Sequence, residues 1–294
     1  MRILVTGSAG QLGRIVSARM SAAGHEVRGV DLPEVDITRP DAIARVASDL
    51  RPEVIVNCAA FTDVDGAEDR PLIALEVNAL AVRSLAQLAR EHEAVLVHYS
   101  TDFVFDGDPS RAEPYTEEDR PDPRSVYAAT KLLSEWLAAA TPRHYVFRVE
   151  SLYGGLPPRS GVDRIIQNLS AGREARVFED RVVTASYAVD VVEATVAALD
   201  RAVPFGLYHC VNEGVTTWVG VGRQIAALGG FDPGLVVPIK VADVTMKASR
   251  PQFCALSGAK LAATGIVMPT WQDALARYVA RVAQPVSGAV RAGS

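Results

Sequence analysis

The stretch MRILVTGSAGQLG, Met1 to Gly13, decides the fold. Ile3, Leu4 and Val5 form a short apolar run of the kind a buried strand uses. Thr6 to Gly13 follows as T-G-S-A-G-Q-L-G, with glycines at Gly7, Gly10 and Gly13. A helical pattern begins at once, with Leu12, Ile15, Val16 and Met20 at i, i+3, i+4 and i+8. A strand, a glycine turn and a helix in that order cradle the diphosphate of a dinucleotide. The glycines let backbone N–H groups close on the pyrophosphate, and the helix N-terminus adds partial positive charge.

Outward from this cradle, Gly24 reads as the C′ glycine that ends the first helix. Val27 to Val30 is the second strand, closed by Asp31. The distance from Gly13 to Asp31 is near that of an acid that binds the adenosine ribose hydroxyls. A carboxylate there favours NAD, because a 2′-phosphate would be repelled. The plainer reading is a strand-end Asp that satisfies a turn. Thr38-Arg39-Pro40-Asp41 reads as a capping box with proline early in a helix that runs to about Leu50. Val54 to Val56 is the third strand, and the small residues after it let a cofactor lie close to the backbone. The acidic run Asp63 to Asp69 reads as a solvated loop or helix start. A long helix spans Pro71 to Glu91, its apolar face interrupted by Asn78, which reads either as a core hydrogen-bonding residue or as a support for the site. Ala94 to Tyr99 is the fourth strand, leading into Ser100-Thr101-Asp102. Asp106 to Arg124 is a long Pro-, Gly- and acid-rich loop, Val126 to Ala140 a helix and Tyr145 to Val149 a strand.

This alternation predicts an α/β fold with a doubly wound parallel sheet, the Rossmann arrangement. Binding crevices in such sheets lie beyond the carboxyl ends of the strands. Asp31, Phe61, Thr101 and Ser151 each follow a strand, so all four can face one crevice. The pattern changes at Ser151. Residues 1–150 plus about 187–211 are expected to form the dinucleotide-binding domain. Residues of about 151–186 and 212–283 are expected to form a smaller, discontinuous α+β substrate lobe. Gln284 to Ser294, rich in Ala, Gly, Ser and Pro, is expected to be a loose tail.

The chain of 294 residues is 49% hydrophobic, enough for a full core and more than one lobe. Its net charge of -5 gives no electrostatic case for nucleic acid or an anionic membrane. The apolar stretches read as too short to cross a bilayer, and no signal segment precedes the first strand. Cys58, Cys210 and Cys254 are odd in number and widely spaced, which points away from a disulfide framework and toward a cytoplasmic location. The five histidines form no ligand-spaced pair, so no metal is expected.

Tyr127-Ala128-Ala129-Thr130-Lys131 places Tyr and Lys at i and i+4 on one helix face. A free phenol, with pKa near ~10, is a poor acid–base group at neutral pH. A neighbouring ammonium would stabilise the phenolate and lower that value. The phenol could then protonate a carbonyl oxygen as hydride reaches the carbon. Thr101 can add a hydroxyl hydrogen bond to the same oxygen. Y-x-x-x-K alone is a weak motif; with the glycine cradle it points to hydride chemistry.

The chain resembles the extended short-chain dehydrogenase/reductases, and within them the dTDP-4-dehydrorhamnose reductase group. The resemblance rests on TGSAGQLG (6–13), VNCAAFTDVDGAE (56–68), HYSTDFVFDG (98–107), YAATK (127–131), RVESLYG (148–154), LYHCVNEGVTTW (207–218) and SRPQFCALSGAKL (249–261). It implies a cytoplasmic reductase that uses NAD(H) or NADP(H) on a nucleotide-linked deoxysugar. It implies cofactor contacts at Gly7, Gly10, Gln11, Leu12, Gly13, Asp31, Asp36, Ile37, Ala60, Phe61, Thr62, Tyr127 and Lys131. Tyr127 is the implied acid, Lys131 its tuner and ribose contact, and Thr101 the carbonyl anchor. Thr101, Asp102, Ser151 and Arg250 are the implied substrate contacts. Extended members often dimerise through two sheet-flanking helices, so a homodimer is compatible with the resemblance.

One departure stands out. Rhamnose-pathway reductases commonly read R-T-A-W-V-Y-G where this chain has Arg148-Val149-Glu150-Ser151-Leu152-Tyr153-Gly154. Ser151 replaces a substrate-facing Trp and removes a stacking surface. Three other functions share the fold. A 4,6-dehydratase reads S-T-D-E-V-Y-G, and Phe103 stands here at its glutamate. A 4-epimerase needs only sugar rotation over a retained cofactor. A non-catalytic partner of methionine adenosyltransferase can keep the same triad.

Overall fold

The computed structural model describes residues 1–283. Its main sheet has six parallel strands: β1 (Arg2–Thr6), β2 (Glu26–Val30), β3 (Val54–Asn57), β4 (Val95–Thr101), β5 (His144–Val149) and, late in the chain, Gly206–His209. Two short strands intervene, β6 (Ala175–Phe178) and β7 (Val182–Val183), so Gly206–His209 is β8. The sheet order is β2-β1-β3-β4-β5-β8. The chain therefore runs outward from β1 in both directions, and the expected Rossmann sheet is present.

Alternation along the central strands covers both faces, because successive side chains point to opposite sides. Ile3, Val5, Val56, Val97 and Phe147 pack against α1 (Gln11–Ala22) and α8 (Ala188–Asp200). Leu4, Ile55, Leu96 and Val146 pack on the other side, against α2 (Pro40–Leu50) and the long helix after β3. That helix is built from α4 (Pro71–Leu75), one π-helical turn at Glu76–Leu80, and α5 (Ala81–Glu91). By length and composition it could cross a membrane, contrary to the reading of the apolar stretches. Val82, Leu85, Ala86 and Ala89 are instead buried in the core that the sheet shares. α3 (Val64–Asp69) occupies the acidic run, and α6 (Val126–Ala138) follows the long loop.

Of two expectations at element ends, one holds and one does not. α1 ends at Ala22 and Gly24 takes φ +81, as a C′ glycine should. The capping box expected at Thr38 does not form. Asp36 accepts both the Thr38 N–H (2.9 Å) and the Thr38 hydroxyl (2.7 Å), so that hydroxyl is committed upstream. α2 starts at Pro40 with no side-chain cap.

A second core lies beyond β5. α7 (Gly161–Ser170), α9 (Trp218–Gly229) and α11 (Trp271–Ala283) bury Val162, Ile165, Val221, Ile225, Trp271 and Leu275 together. β6 pairs with β10 (Val236–Ile239), and β7 pairs with β9 (Thr216–Thr217). A short helix, α10 (Ala259–Ala263), precedes α11. The tail expected at Gln284 to Ser294 lies outside the described residues.

Candidate active site

The glycine turn is packed too tightly for any other residue. Gly7 adopts φ +65, and a Cβ there would sit 2.5 Å from the Ala59 nitrogen. A Cβ on Gly13 would sit 2.1 Å from the Gly7 carbonyl oxygen. Gly10 precedes α1 and leaves the first-turn N–H groups free of any side-chain cap. Beside the turn is a cavity of about 230 Å³ lined by Gly7, Gly10, Asp31, Asp36, Ile37 and Ala60, among others. Small residues, a bare helix start and two carboxylates fit the diphosphate and adenosine of a dinucleotide.

Asp31 also does what the plainer reading expects. Its oxygens accept the Ala9 and Leu32 N–H groups, each at 2.8 Å. The carboxylate therefore braces the glycine turn while it lines the cavity. Gln11 points across to the opposite loop, donating to the Pro157 carbonyl at 2.9 Å. Leu12 packs on the main core. Phe61 is fixed by its backbone, and Thr62 is exposed beside it.

That fixing comes from Asn78. Its Oδ1 accepts the Phe61 N–H at 2.8 Å, and its Nδ2 donates to the Phe61 carbonyl (3.2 Å) and the Thr130 hydroxyl (3.1 Å). Thr130 in turn donates to the Tyr127 carbonyl at 2.8 Å. A single side chain thus ties the loop after β3 to the first turns of α6. The π-helical turn carries Asn78 in its middle, and such turns concentrate at functional sites.

Tyr127 is half-buried on α6, and its ring meets Phe103 edge-on at 5.8 Å. Thr101 and Asp102 stand at the end of β4, with the Thr101 hydroxyl donating to Asp102 at 3.0 Å. Burial pushes the Tyr127 phenol up to about 12, and the Asp102 charge adds to the rise. Lys131 is buried and lowered to about 8 by desolvation, with Glu135 opposing. Its ammonium donates to the Tyr99 carbonyl at 2.7 Å and lies 3.4 Å from His98 Nε2. The expected lowering of the phenol by Lys131 is not what this geometry yields. The ammonium is turned into the sheet, and desolvation dominates the phenol.

Ser151 sits just past β5 at φ +45, a strained value for a residue with a Cβ, and donates to Glu150 at 3.1 Å. Arg250 donates to Asp65 of α3 at 2.8 Å, and its other terminal nitrogen is buried without a partner. Lys247 bonds Asp69, and the Ala248 N–H donates to Asp65 at 2.9 Å, so segment 247–250 is strapped to α3. Arg181 was not singled out from the sequence. It lies 6.0 Å from the Phe103 ring, as does Arg250. The polar strand-like segment around it gave no sign of which side chain turns inward.

A family model described as RmlD substrate binding domain matches residues 1–284. The chain belongs to the RmlD family. It is 35% identical over 291 residues to the dTDP-4-dehydrorhamnose reductase of Mycobacterium tuberculosis, across 97% of this chain and 95% of that one. The solved dTDP-4-dehydrorhamnose reductase of Clostridium acetobutylicum superposes with a TM-score of 0.91 at 32% identity, covering 97% of this chain and 100% of that one. The Bacillus anthracis enzyme, solved in complex with NADP, gives 0.90 at 28% identity, covering 95% and 99%. Membership of the RmlD family makes this chain an extended short-chain dehydrogenase/reductase of the NAD(P)-dependent oxidoreductase type, within a family of dTDP-sugar biosynthesis.

Proposed function

We propose that this RmlD-family chain reduces the C4 ketone of a nucleotide-linked 6-deoxy sugar with NAD(P)H. The observation that supports the reading is that the Tyr127 phenol on α6 faces Thr101 and Asp102 at the end of β4, with Asn78 linking α6 to the loop beside the glycine cradle. Gly7, Gly10, Gln11, Leu12 and Gly13 would hold the diphosphate, Asp31, Asp36 and Ile37 the adenosine side, and Ala60, Phe61 and Thr62 the path beyond. A bound dihydronicotinamide supplies the hydride. Tyr127 carries its proton throughout the neutral range, since its phenol titrates only at about 12, and donates it to the carbonyl oxygen. Thr101 orients that oxygen, and Lys131 would reach the ribose by turning its ammonium from the Tyr99 carbonyl. Asp102, Ser151 and Arg250 would hold the sugar nucleotide, with the unpartnered Arg250 nitrogen as a free donor.

Phe103 argues for reduction over elimination. It packs against Tyr127, so no carboxylate stands where a dehydratase needs one. Loss of the aromatic wall at Ser151 favours a sugar other than the rhamnose precursor. Two exposed apolar residues on sheet-flanking helices, Leu72 and Trp136, support a homodimer. The test is NAD(P)H oxidation against a panel of 4-keto-6-deoxy sugar nucleotides, with Tyr127→Phe expected to lower kcat about 10²- to 10⁴-fold. An unchanged rate in that variant would remove Tyr127 from the acid's role. Asp31 predicts that NADH serves at least as well as NADPH, and a large NADPH preference would refute that.

A further inference from the structure

Next to Ser151 lies a set of buried groups that hydride transfer itself leaves unused. Asp102 follows β4 and Glu150 follows β5; Cys254 reaches them from the second core. One ligand-type atom from each of the three lies within 4.8 Å of the others. All three residues are at most 5% exposed. Glu150 accepts both the N–H and the hydroxyl of Thr184, and the Ser151 hydroxyl. Arg181 supplies the cation here, lying 3.5 Å from Cys254 Sγ and donating to the Pro251 carbonyl at 3.0 Å. Arg250, also nearby, is committed to Asp65. Two buried carboxyls therefore share one guanidinium, and like charges this close disfavour joint ionisation.

We propose that Asp102 and Glu150 hold one proton between them, and that this proton resupplies Tyr127 through the Thr101 hydroxyl after each reduction. The second half rests on the reductase reading. Each turnover consumes one proton: hydride adds to the carbonyl carbon, and the carbonyl π pair takes the Tyr127 proton. The phenolate then takes the proton of the Thr101 hydroxyl while that oxygen takes one from the Asp102 carboxyl. That transfer leaves both carboxyls ionised, and solvent returns one proton to the pair when product leaves. The Thr101 hydroxyl donates to Asp102 at 3.0 Å, and rotation of that hydroxyl toward the phenolate lets a protonated Asp102 donate back across the same contact. The surroundings of the two carboxyls point the same way. Burial raises both Asp102 and Glu150 above the ordinary carboxyl range, and the Asp102 charge adds to the rise of Glu150. Arg181 and the Thr101 and Thr184 hydrogen bonds pull the other way, and the buried Cys254 thiol stays protonated.

The first measurement needs no substrate: the infrared C=O stretch of a protonated carboxyl, followed against pH in the whole protein. The wild type should show this band at neutral pH and lose it only well above the ordinary carboxyl range, while Glu150→Gln should lack it. Asp102→Asn tests the same band from the other partner if Glu150→Gln does not fold; there the loss should move to lower pH. The second measurement is rapid mixing with NADH and excess ketosugar nucleotide. Glu150→Gln should give a burst of one NADH per site, then a steady rate roughly tenfold or more slower, against linear oxidation by the wild type. A wild type without the band at neutral pH overturns the shared proton. A Glu150→Gln enzyme that oxidises NADH linearly at the wild-type rate overturns the resupply. A wild type that shows the band yet oxidises no NAD(P)H with any ketosugar nucleotide refutes the reductase reading and still supports the shared proton.

Discussion

Replacing Glu135 by Leu tests what holds α6 against the sheet. Glu135 on α6 and Arg148 on β5 are joined by two hydrogen bonds, at 2.9 and 2.7 Å. Their side chains are only 6% and 2% exposed. The Ser100 hydroxyl donates to the same carboxylate, and the guanidinium lies 4.9 Å from the Phe105 ring. Glu135→Leu leaves the guanidinium buried with no anion, which costs about 3–5 kcal/mol. A domain of total stability ~5–15 kcal/mol loses a large share of it. Glu135→Leu with Arg148→Met removes both charges, and apolar replacement of a buried pair is neutral or stabilising by about 1–4 kcal/mol. Equilibrium unfolding in urea, followed by circular dichroism, measures both variants. The reasoning fails if the single variant lies within about 1 kcal/mol of wild type, or if the double variant is no more stable than the single one. Because Glu135 also raises Lys131, the single variant should carry a Lys131 titrating below its present value of about 8.

Gly13→Ala drives a methyl group into the Gly7 carbonyl at 2.1 Å, so dinucleotide affinity, read by NADH fluorescence titration, should fall at least tenfold, roughly 1.4 kcal/mol. Asn78→Ala strips the Phe61 N–H and carbonyl of their partner; stability should drop by about 1–3 kcal/mol in urea, with a weaker hold on the dinucleotide in the same fluorescence assay. Stability should also depend on Glu150. Burial raises it above the ordinary 4.5 in the folded protein, so the native state binds a proton that the unfolded chain has already lost. That contribution is complete below the unfolded value and is lost as pH rises through the folded one. Melting temperatures should therefore decline as pH rises above about 5 through the neutral range, and Glu150→Gln should flatten the decline.

The parts of the fold that local pattern controls were legible. Ile3 to Val5, the glycine turn and the Leu12 to Met20 stripe form one contiguous unit whose geometry is set by its own residues. The strand ends that carry Asp31, Thr101 and Ser151 followed from the same periodicity. What escaped depends on partners distant in the chain. Asn78 reads as an interruption of an apolar face until Phe61, 17 positions earlier, and Thr130, 52 later, are brought to it. Thr38 looks like a cap because nothing in the S/T-x-x-D/E pattern reveals that Asp36 competes for its hydroxyl. Lys131 matches the phenol by spacing, but the Tyr99 carbonyl that claims its ammonium belongs to a neighbouring strand. Glu150 appeared only as the neighbour of a missing tryptophan; its closeness to Asp102 arises because β4 and β5 are paired side by side.

The wide turn at Glu76–Leu80 fixes the length of its helix. One residue more than an α-helical turn would use is accommodated there, so every side chain beyond it is rotated relative to those before. Deleting one residue between positions 76 and 80 would restore a regular ladder that is locally more favourable. It would also swing one end of the helix by about 100° against the other. Either the Asn78 amide or the apolar row Val82, Leu85 and Ala89 would then face the wrong way. Chain length in this segment is thus under the same constraint as residue identity, and a shortened variant would trade the orientation of the crevice beside Phe61 for a straighter rod.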